Sequence, residues 1–194
     1  MCLVLILALA GTSYLAVYFN RKAKDDLGAS LSPLARMIEG TVDLDEATIS
    51  GRYLGHLTEA RVSTLPGGMG RVFLISLVDG AGGSGWTWTL TRSKEPGLPP
   101  SGEFESEVKG IAEATDQQFE SLTRDPTMTE TWFRVAYAPD AGTITLTKPM
   151  QNRRDIPRVE EFARLLDEVH EVAAANRSVQ GPEVLARVQP EPLA

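Results

Sequence analysis

The residues that could do chemistry are few and dispersed along the chain. It contains one cysteine and two histidines, His56 and His170, among its 194 residues. One thiol excludes a disulfide framework and a cysteine-based zinc site, and two imidazoles leave little to hold a transition metal. The sequence therefore predicts no catalytic residue, no metal site and no bound cofactor.

A glycine-rich segment, residues 80–85, matches the letters of the dinucleotide-binding motif G-x-G-x-x-G. In nucleotide-binding folds that turn follows a strand and opens a helix, whose N-terminus meets the pyrophosphate. Here the next residues, WTWTLTR, show the strict alternation of a strand. We interpret the segment as a hairpin loop in which Gly82 and Gly83 allow a partner's backbone to come close.

Three tryptophans are the other candidates for a binding site. Trp86 and Trp88 share one face of the WTWTLTR segment, and Trp132 opens a later strand. Core packing is the usual role of such large apolar side chains. The alternative is that they line a ligand pocket or an interface together with the glycine-rich loop.

Acidic residues cluster twice without forming a recognisable site. Residues 43–46 hold three carboxylates but lack the spacing of a calcium-binding loop. Glu103, Glu105 and Glu107 alternate along a segment and are typical of a solvent-facing strand edge blunted by charge. The net charge of −7 argues against a nucleic-acid partner, because a basic face supplies most of that affinity.

The N-terminal segment, residues 1–19, contains no charged side chain. As a helix it would reach roughly 28 Å, close to the thickness of a bilayer's hydrocarbon core. It therefore predicts a single transmembrane helix. Residues 8–10, Ala-Leu-Ala, also resemble a signal-peptide cleavage site, but no Lys or Arg precedes the apolar run, which favours the anchor.

Cations follow this run immediately, at Arg21, Lys22 and Lys24. They predict contacts with lipid headgroups, and residues 20–32 are expected to form a juxtamembrane hinge. Because positive residues flank the cytoplasmic end of a membrane helix, the following domain is expected in the cytoplasm. The sequence thus predicts a single-pass protein of the bacterial inner (cytoplasmic) membrane.

Small residues recur along one face of the N-terminal helix, at Ala8, Gly11, Thr12 and Ala16. Small side chains at this spacing let a second helix approach closely. They predict a packing face for another subunit, although such residues are common in any membrane helix.

The remaining chain predicts one α+β domain over residues 33–176, followed by a flexible tail over 177–194. Ser32-Pro33 is typical of a helix start, and further helices are expected from residue 115 to Pro126 and over 157–176. An antiparallel sheet of about six strands, with helices packed on one face, should complete the fold. Its expected strands are residues 47–54, 57–64, 71–78, 86–92, 131–138 and 142–148, while 103–109 fit either a strand or a helix.

No motif names a family, and two functions from different classes fit the pattern. The first is a non-catalytic accessory or assembly subunit, anchored in the bilayer and stabilising a larger membrane protein complex of a respiratory or photosynthetic kind. The second is a membrane-tethered ligand-binding or sensory domain.

Overall fold

The computed structural model describes residues 2–68, 70–80, 82–92, 100–106, 108, 110–124 and 132–180, without the side chains of residues 2–11, 13 and 66. The helices are α1 (Cys2–Met37), α2 (Ile111–Ala114), α3 (Asp116–Arg124) and α4 (Val159–Gln180). The strands are β1 (Thr41–Asp43), β2 (Thr48–Tyr53), β3 (His56–Thr64), β4 (Arg71–Val78), β5 (Trp86–Thr91), β6 (Ser101–Ser106), β7 (Trp132–Ala138) and β8 (Thr143–Met150).

The strands form one antiparallel sheet in the order β1-β2-β3-β4-β8-β7-β5-β6. The first four strands are neighbours in sequence, and the hairpin of β7 and β8 lies between β4 and β5. This confirms the α+β class and the antiparallel sheet, with eight described strands where about six were expected. The edge strands are β1 and β6. Residues 103–106, whose sequence fits either a strand or a helix, lie in β6.

Alternation along the strands gives the sheet one buried face. In β4, Phe73, Ile75 and Leu77 are fully buried, while Leu74, Ser76 and Val78, which point to the other face, are half-buried. The inner face packs against α1 and α4, and α2 and α3 contact α4 on the same side. The core therefore lies between one sheet face and one layer of helices. None of the helices that the structure describes packs on the other face, which we call the open face.

The long C-terminal helix, α4, forms because its apolar side chains recur at helical spacing. Its buried face runs from Phe162 through Leu166 and Val169 to Ala173, as the 3.6-residue period requires. The helix is further fixed to the sheet by Lys148 of β8, whose buried ammonium donates to Glu161 at 2.5 Å.

The prediction of a transmembrane helix over residues 1–19 is wrong. No helix in the described part of the chain is both long enough and apolar enough to cross a bilayer. In the described part of α1 the apolar run ends at Phe19, and charged residues follow within the same helix. The assignment to the bacterial inner membrane depended on that segment and is corrected with it.

The helix α1 also differs from the expectation at its middle. Residues 20–32 were expected to form a hinge, and Ser32-Pro33 a helix start, but α1 is continuous from Cys2 to Met37. The Ser32 hydroxyl donates to the carbonyl of Gly28 one turn earlier instead of capping a new helix. Leu31 and Leu34 are buried in the core on either side of this point, so tertiary packing holds the helix through the proline.

Candidate functional site

The N-terminal half of α1 exposes an unusual amount of apolar surface. Every described side chain from residue 12 to residue 22 is exposed, whereas Leu31, Leu34 and Ile38 of the same helix are buried. Five large apolar side chains lie together here, with Tyr14 71% exposed and Phe19 61% exposed. The described remainder of the chain exposes only three such side chains, namely Leu54, Leu57 and Val159. We call residues 12–22 the exposed end of α1.

The apolar side chains of the exposed end surround most of the helix. At 100° per residue, the arc from Val17 through Tyr14 and Tyr18 to Phe19 covers about 200°. The remaining arc holds the small residues Thr12 and Ala16, both exposed. The other two residues of the predicted packing face, Ala8 and Gly11, have side chains outside the described residues.

The predicted headgroup cations lie where the exposed end meets the domain. Arg21 and Lys22 are exposed, and Lys24 forms an ion pair with Asp45 at 2.5 Å. Arg153 donates to the carbonyl of Ala23 at 2.9 Å. These contacts fix the direction in which α1 leaves the domain, so Lys24 has a structural partner within the chain.

The predicted pocket tryptophans Trp86 and Trp88 belong to the core. Trp88 stacks on Phe119 at a centroid distance of 4.3 Å, and Trp86 stacks on Phe104 at 5.7 Å. The Trp86 indole donates to the buried side-chain oxygen of Asn176 at 2.8 Å. Both rings face the helix layer and are at most 5% exposed.

Trp132 lies on the opposite, open face of the sheet. It pairs with Thr91 of β5, whereas its neighbour Phe133 pairs with Leu90 and faces the core. A single sheet separates Trp132 from Trp86 and Trp88. The structure therefore does not bring the three tryptophans together around one pocket.

The glycine-rich loop is held by the end of α4. Gln180 bonds the backbone of Ser84 twice, accepting from its N–H at 2.8 Å and donating to its carbonyl at 2.9 Å. Gly83 has a positive φ of 75°, and a Cβ there would lie 1.9 Å from the Gln180 side-chain oxygen. Strand β5 follows the loop, so no helix N-terminus stands where a pyrophosphate would need one. Gly83 thus makes close approach possible for the chain's own last helix, whereas Gly82 bonds to Pro139 and Tyr137.

A polar cluster that the sequence did not predict lies beside this loop. The fully buried carboxylate of Asp79 accepts from Arg177 of α4, and none of the described groups hydrogen-bonds to its other oxygen. The rings of His56 and His170 meet edge to face at 5.2 Å, and the buried His170 Nδ1 has no hydrogen-bond partner in the described part of the chain. Within the described residues, no group of side chains is arranged to hold a metal ion.

Burial in this cluster lowers the pKa values of both His56 and Arg177. The nearby charge of Arg177 and the ring of His170 lower the pKa of the His56 imidazole further. A hydrogen bond between His56 Nδ1 and the carbonyl of Val78, at 3.2 Å, opposes part of that effect. The cluster thus favours a neutral imidazole packed beneath α4.

A groove opens at the open-face side of strands β2, β3 and β4. It has a volume of about 680 Å³, and Leu57 and Val78 contribute its apolar surface. Three charged side chains border it, namely Glu39, Arg52 and Glu59. Arg52 donates to the carbonyl of Gly55 at 3.1 Å, and the described residues provide no hydrogen bond or ion pair to the Glu39 carboxylate.

The chain matches no family model, no curated protein and no solved structure. The functional argument therefore starts from the exposed end of α1, the polar cluster and the groove.

Proposed function

We propose that the protein is a non-catalytic accessory subunit that joins a larger protein assembly through the exposed end of α1. The observation that carries this proposal is the cluster of five large apolar side chains, since the rest of the described chain exposes only three. Contiguous exposed apolar surface is typical of a protein-interaction site, whereas single exposed apolar residues need no explanation.

The shape of this surface favours a larger partner over a second copy of the chain. A helix that packs on one neighbour buries a stripe of about 100°, and the seam of a two-stranded coiled coil is narrower. The arc from Val17 to Phe19 is about twice as wide. Enclosing it takes an apolar groove formed by two or more helices of a partner, and Thr12 and Ala16 allow close approach on the remaining side.

The direct experiment changes the exposed end of α1 and leaves the core of the folded domain intact. Leu15→Glu with Phe19→Glu places two charges on the arc, far from the buried core residues of α1. Leu54→Glu is the matched control, because Leu54 is 65% exposed at the β2–β3 turn. The tagged full chain and each variant would be expressed in the native host and compared by native electrophoresis and mass spectrometry.

The wild type and the control should migrate within an assembly much larger than 21.1 kDa, and the double variant should migrate alone with an unchanged unfolding midpoint. Co-migration that survives both charges contradicts the proposal. A purified wild type that dimerises by itself through residues 15 and 19 would replace the larger partner with a second copy.

The groove supports a second candidate function, the binding of a small molecule that carries an amine. Its volume lies within the range of small-molecule sites, and two carboxylates and one guanidinium border its apolar surface. A ligand that binds only the folded state raises the unfolding temperature. A panel of amines should include one that stabilises the wild type and Glu46→Gln but not Glu59→Gln. A panel without any such compound contradicts this candidate.

A further inference from the structure

The two edge strands of the sheet differ in length and in how their outer side is covered. At one edge β1 is only three residues long, and beyond it Ile38 covers β2 by accepting a hydrogen bond from the Arg52 N–H at 2.6 Å. At the other edge β6 is six residues long and pairs with β5 without interruption from Ser101 to Ser106. No other described strand pairs with β6.

The outer side of β6 lacks most of the features that close a sheet edge. The described strand contains no proline, no bulge and no lysine, and five of its six residues are exposed. Its outward N–H and C=O groups are therefore a template for one more strand. The features that remain are Glu103 and Glu105, which share the open sheet face with Thr89 and Thr87 of β5.

These two glutamates argue against a second copy of the chain as the added strand. If two β6 strands paired antiparallel about Phe104, Glu103 of each would lie opposite Glu105 of the other. Like charges directly opposite one another destabilise strand pairing. The described residues provide neither carboxylate with an ion pair or hydrogen bond, so both are available to an incoming cation.

On its helix side, β6 favours an apolar residue between the two basic residues of the added strand. Phe104 is half-buried on the helix side, where its ring lies 6.0 Å from that of Phe119 and stacks on Trp86. An apolar side chain opposite Phe104 would extend this aromatic cluster. An added strand alternates its side chains between the two faces, so a basic, apolar, basic order fits Glu103, Phe104 and Glu105 in turn.

We propose that β6 is a docking edge for an extended segment of a partner protein with the pattern basic–apolar–basic. Main-chain hydrogen bonds to the outer side of β6, with which no described strand pairs, supply the general affinity, and the two glutamates select the charge. This surface is separate from the exposed end of α1, and its test does not depend on that assignment.

The test uses the full chain and fluorescent nine-residue peptides. The first peptide has Lys-Val-Lys at its centre with threonines on both sides, and the second has Glu-Val-Glu. Two further versions of the first carry N-methyl groups on alternate amides, one set on each side of the strand. Affinity would be measured by fluorescence anisotropy, and protection of the β6 amides by hydrogen exchange.

The Lys-Val-Lys peptide should bind and protect β6 amides, and one N-methylated version should lose binding while the other retains it. The double variant Glu103→Lys with Glu105→Lys should bind the Lys-Val-Lys peptide about tenfold more weakly or worse, and should bind the Glu-Val-Glu peptide instead. The control, Glu46→Lys with Glu160→Lys, changes the net charge equally on exposed positions away from β6 and should bind like the wild type.

Three results would overturn the proposal. The first is no binding of the Lys-Val-Lys peptide to the wild type. The second is equal binding of both N-methylated versions, which would mean charge attraction without strand addition. The third is equal weakening by the control substitutions, which would place the attraction in the net charge and not at β6.

Discussion

Gly51→Ala should destabilise the protein strongly, because the end of α1 crosses β2 at this residue. The chain at Ile38 and Gly40 passes directly over Gly51, and the Ile38 carbonyl accepts from the Arg52 N–H at 2.6 Å. A Cβ on Gly51 would lie 2.2 Å from the Ile38 oxygen and 2.8 Å from Gly40 Cα. Ordinary contacts of a Cβ begin at 3.4 Å, so the crossing must open by more than 1 Å.

The expected loss has two parts. Opening the crossing breaks or stretches the bond between Arg52 and Ile38, which contributes about 1 kcal/mol. Forcing an extra carbon into a packed site costs about 1–3 kcal/mol, because neighbouring backbone must shift. The free energy of unfolding should therefore fall by about 2–4 kcal/mol.

The assay is urea denaturation of Gly51→Ala beside Gly28→Ala. Gly28 lies inside α1, where a Cβ would meet Leu44 at an ordinary 3.5 Å. Alanine favours the helix over glycine, so this control should gain about 0.5–1 kcal/mol. The steric argument would be refuted if the free energy of unfolding of Gly51→Ala were less than about 1 kcal/mol below that of the wild type. It would also be refuted if that free energy changed in the same direction in both variants.

Three further predictions test the polar contacts. The pKa of His56 is lowered in the fold, so its contribution to stability is present above about pH 6.5 and is lost as the pH falls below that value. In His56→Gln the free energy of unfolding, measured with urea, should depend less on pH in that range. Burial and the hydrogen bond to Asp167 raise the pKa of Tyr53 to about 12, so stability should fall as the pH rises from 10 to 12, and not in Tyr53→Phe. Arg177→Met leaves the buried Asp79 carboxylate unpaired and should cost about 3–5 kcal/mol in urea unfolding, most of which Asp79→Leu should restore in the double variant.

Strand patterns in the sequence predicted most of the sheet. The predicted strand over residues 71–78 is β4, and the WTWTLTR segment is β5 from Trp86 to Thr91. The WTWTLTR pattern succeeds because one face of the sheet is buried and the other is open, which is the condition that produces alternation. Residues 71–78 were predicted instead from their apolar and β-branched content, which is typical of a central strand. The predicted last helix is confirmed too, although α4 begins at Val159 and extends to Gln180. Residues 181–194 of the expected tail lie outside the described residues.

Local signals failed where packing outweighs them, as at the middle of α1. A hydroxyl residue followed by proline is typical of a helix start, and Ser32-Pro33 has that form. The buried side chains of Leu31 and Leu34 lie on the same helix on either side of that signal. Their burial stabilises the continuous helix by more than the missing hydrogen bond at proline costs, and no local pattern reports that balance.

The polar cluster depends on strand order, which the sequence does not state. His170 and Arg177 are seven residues apart, so two turns of α4 place them on one face, and this spacing is visible in the sequence. Their partners are His56, at the start of β3, and Asp79, directly after β4. Each looks unremarkable in its local sequence. They meet because β3 pairs with β4, and both lie beneath the end of α4, so a search for chemistry in such a chain has to begin with strand pairing and only then compare side chains.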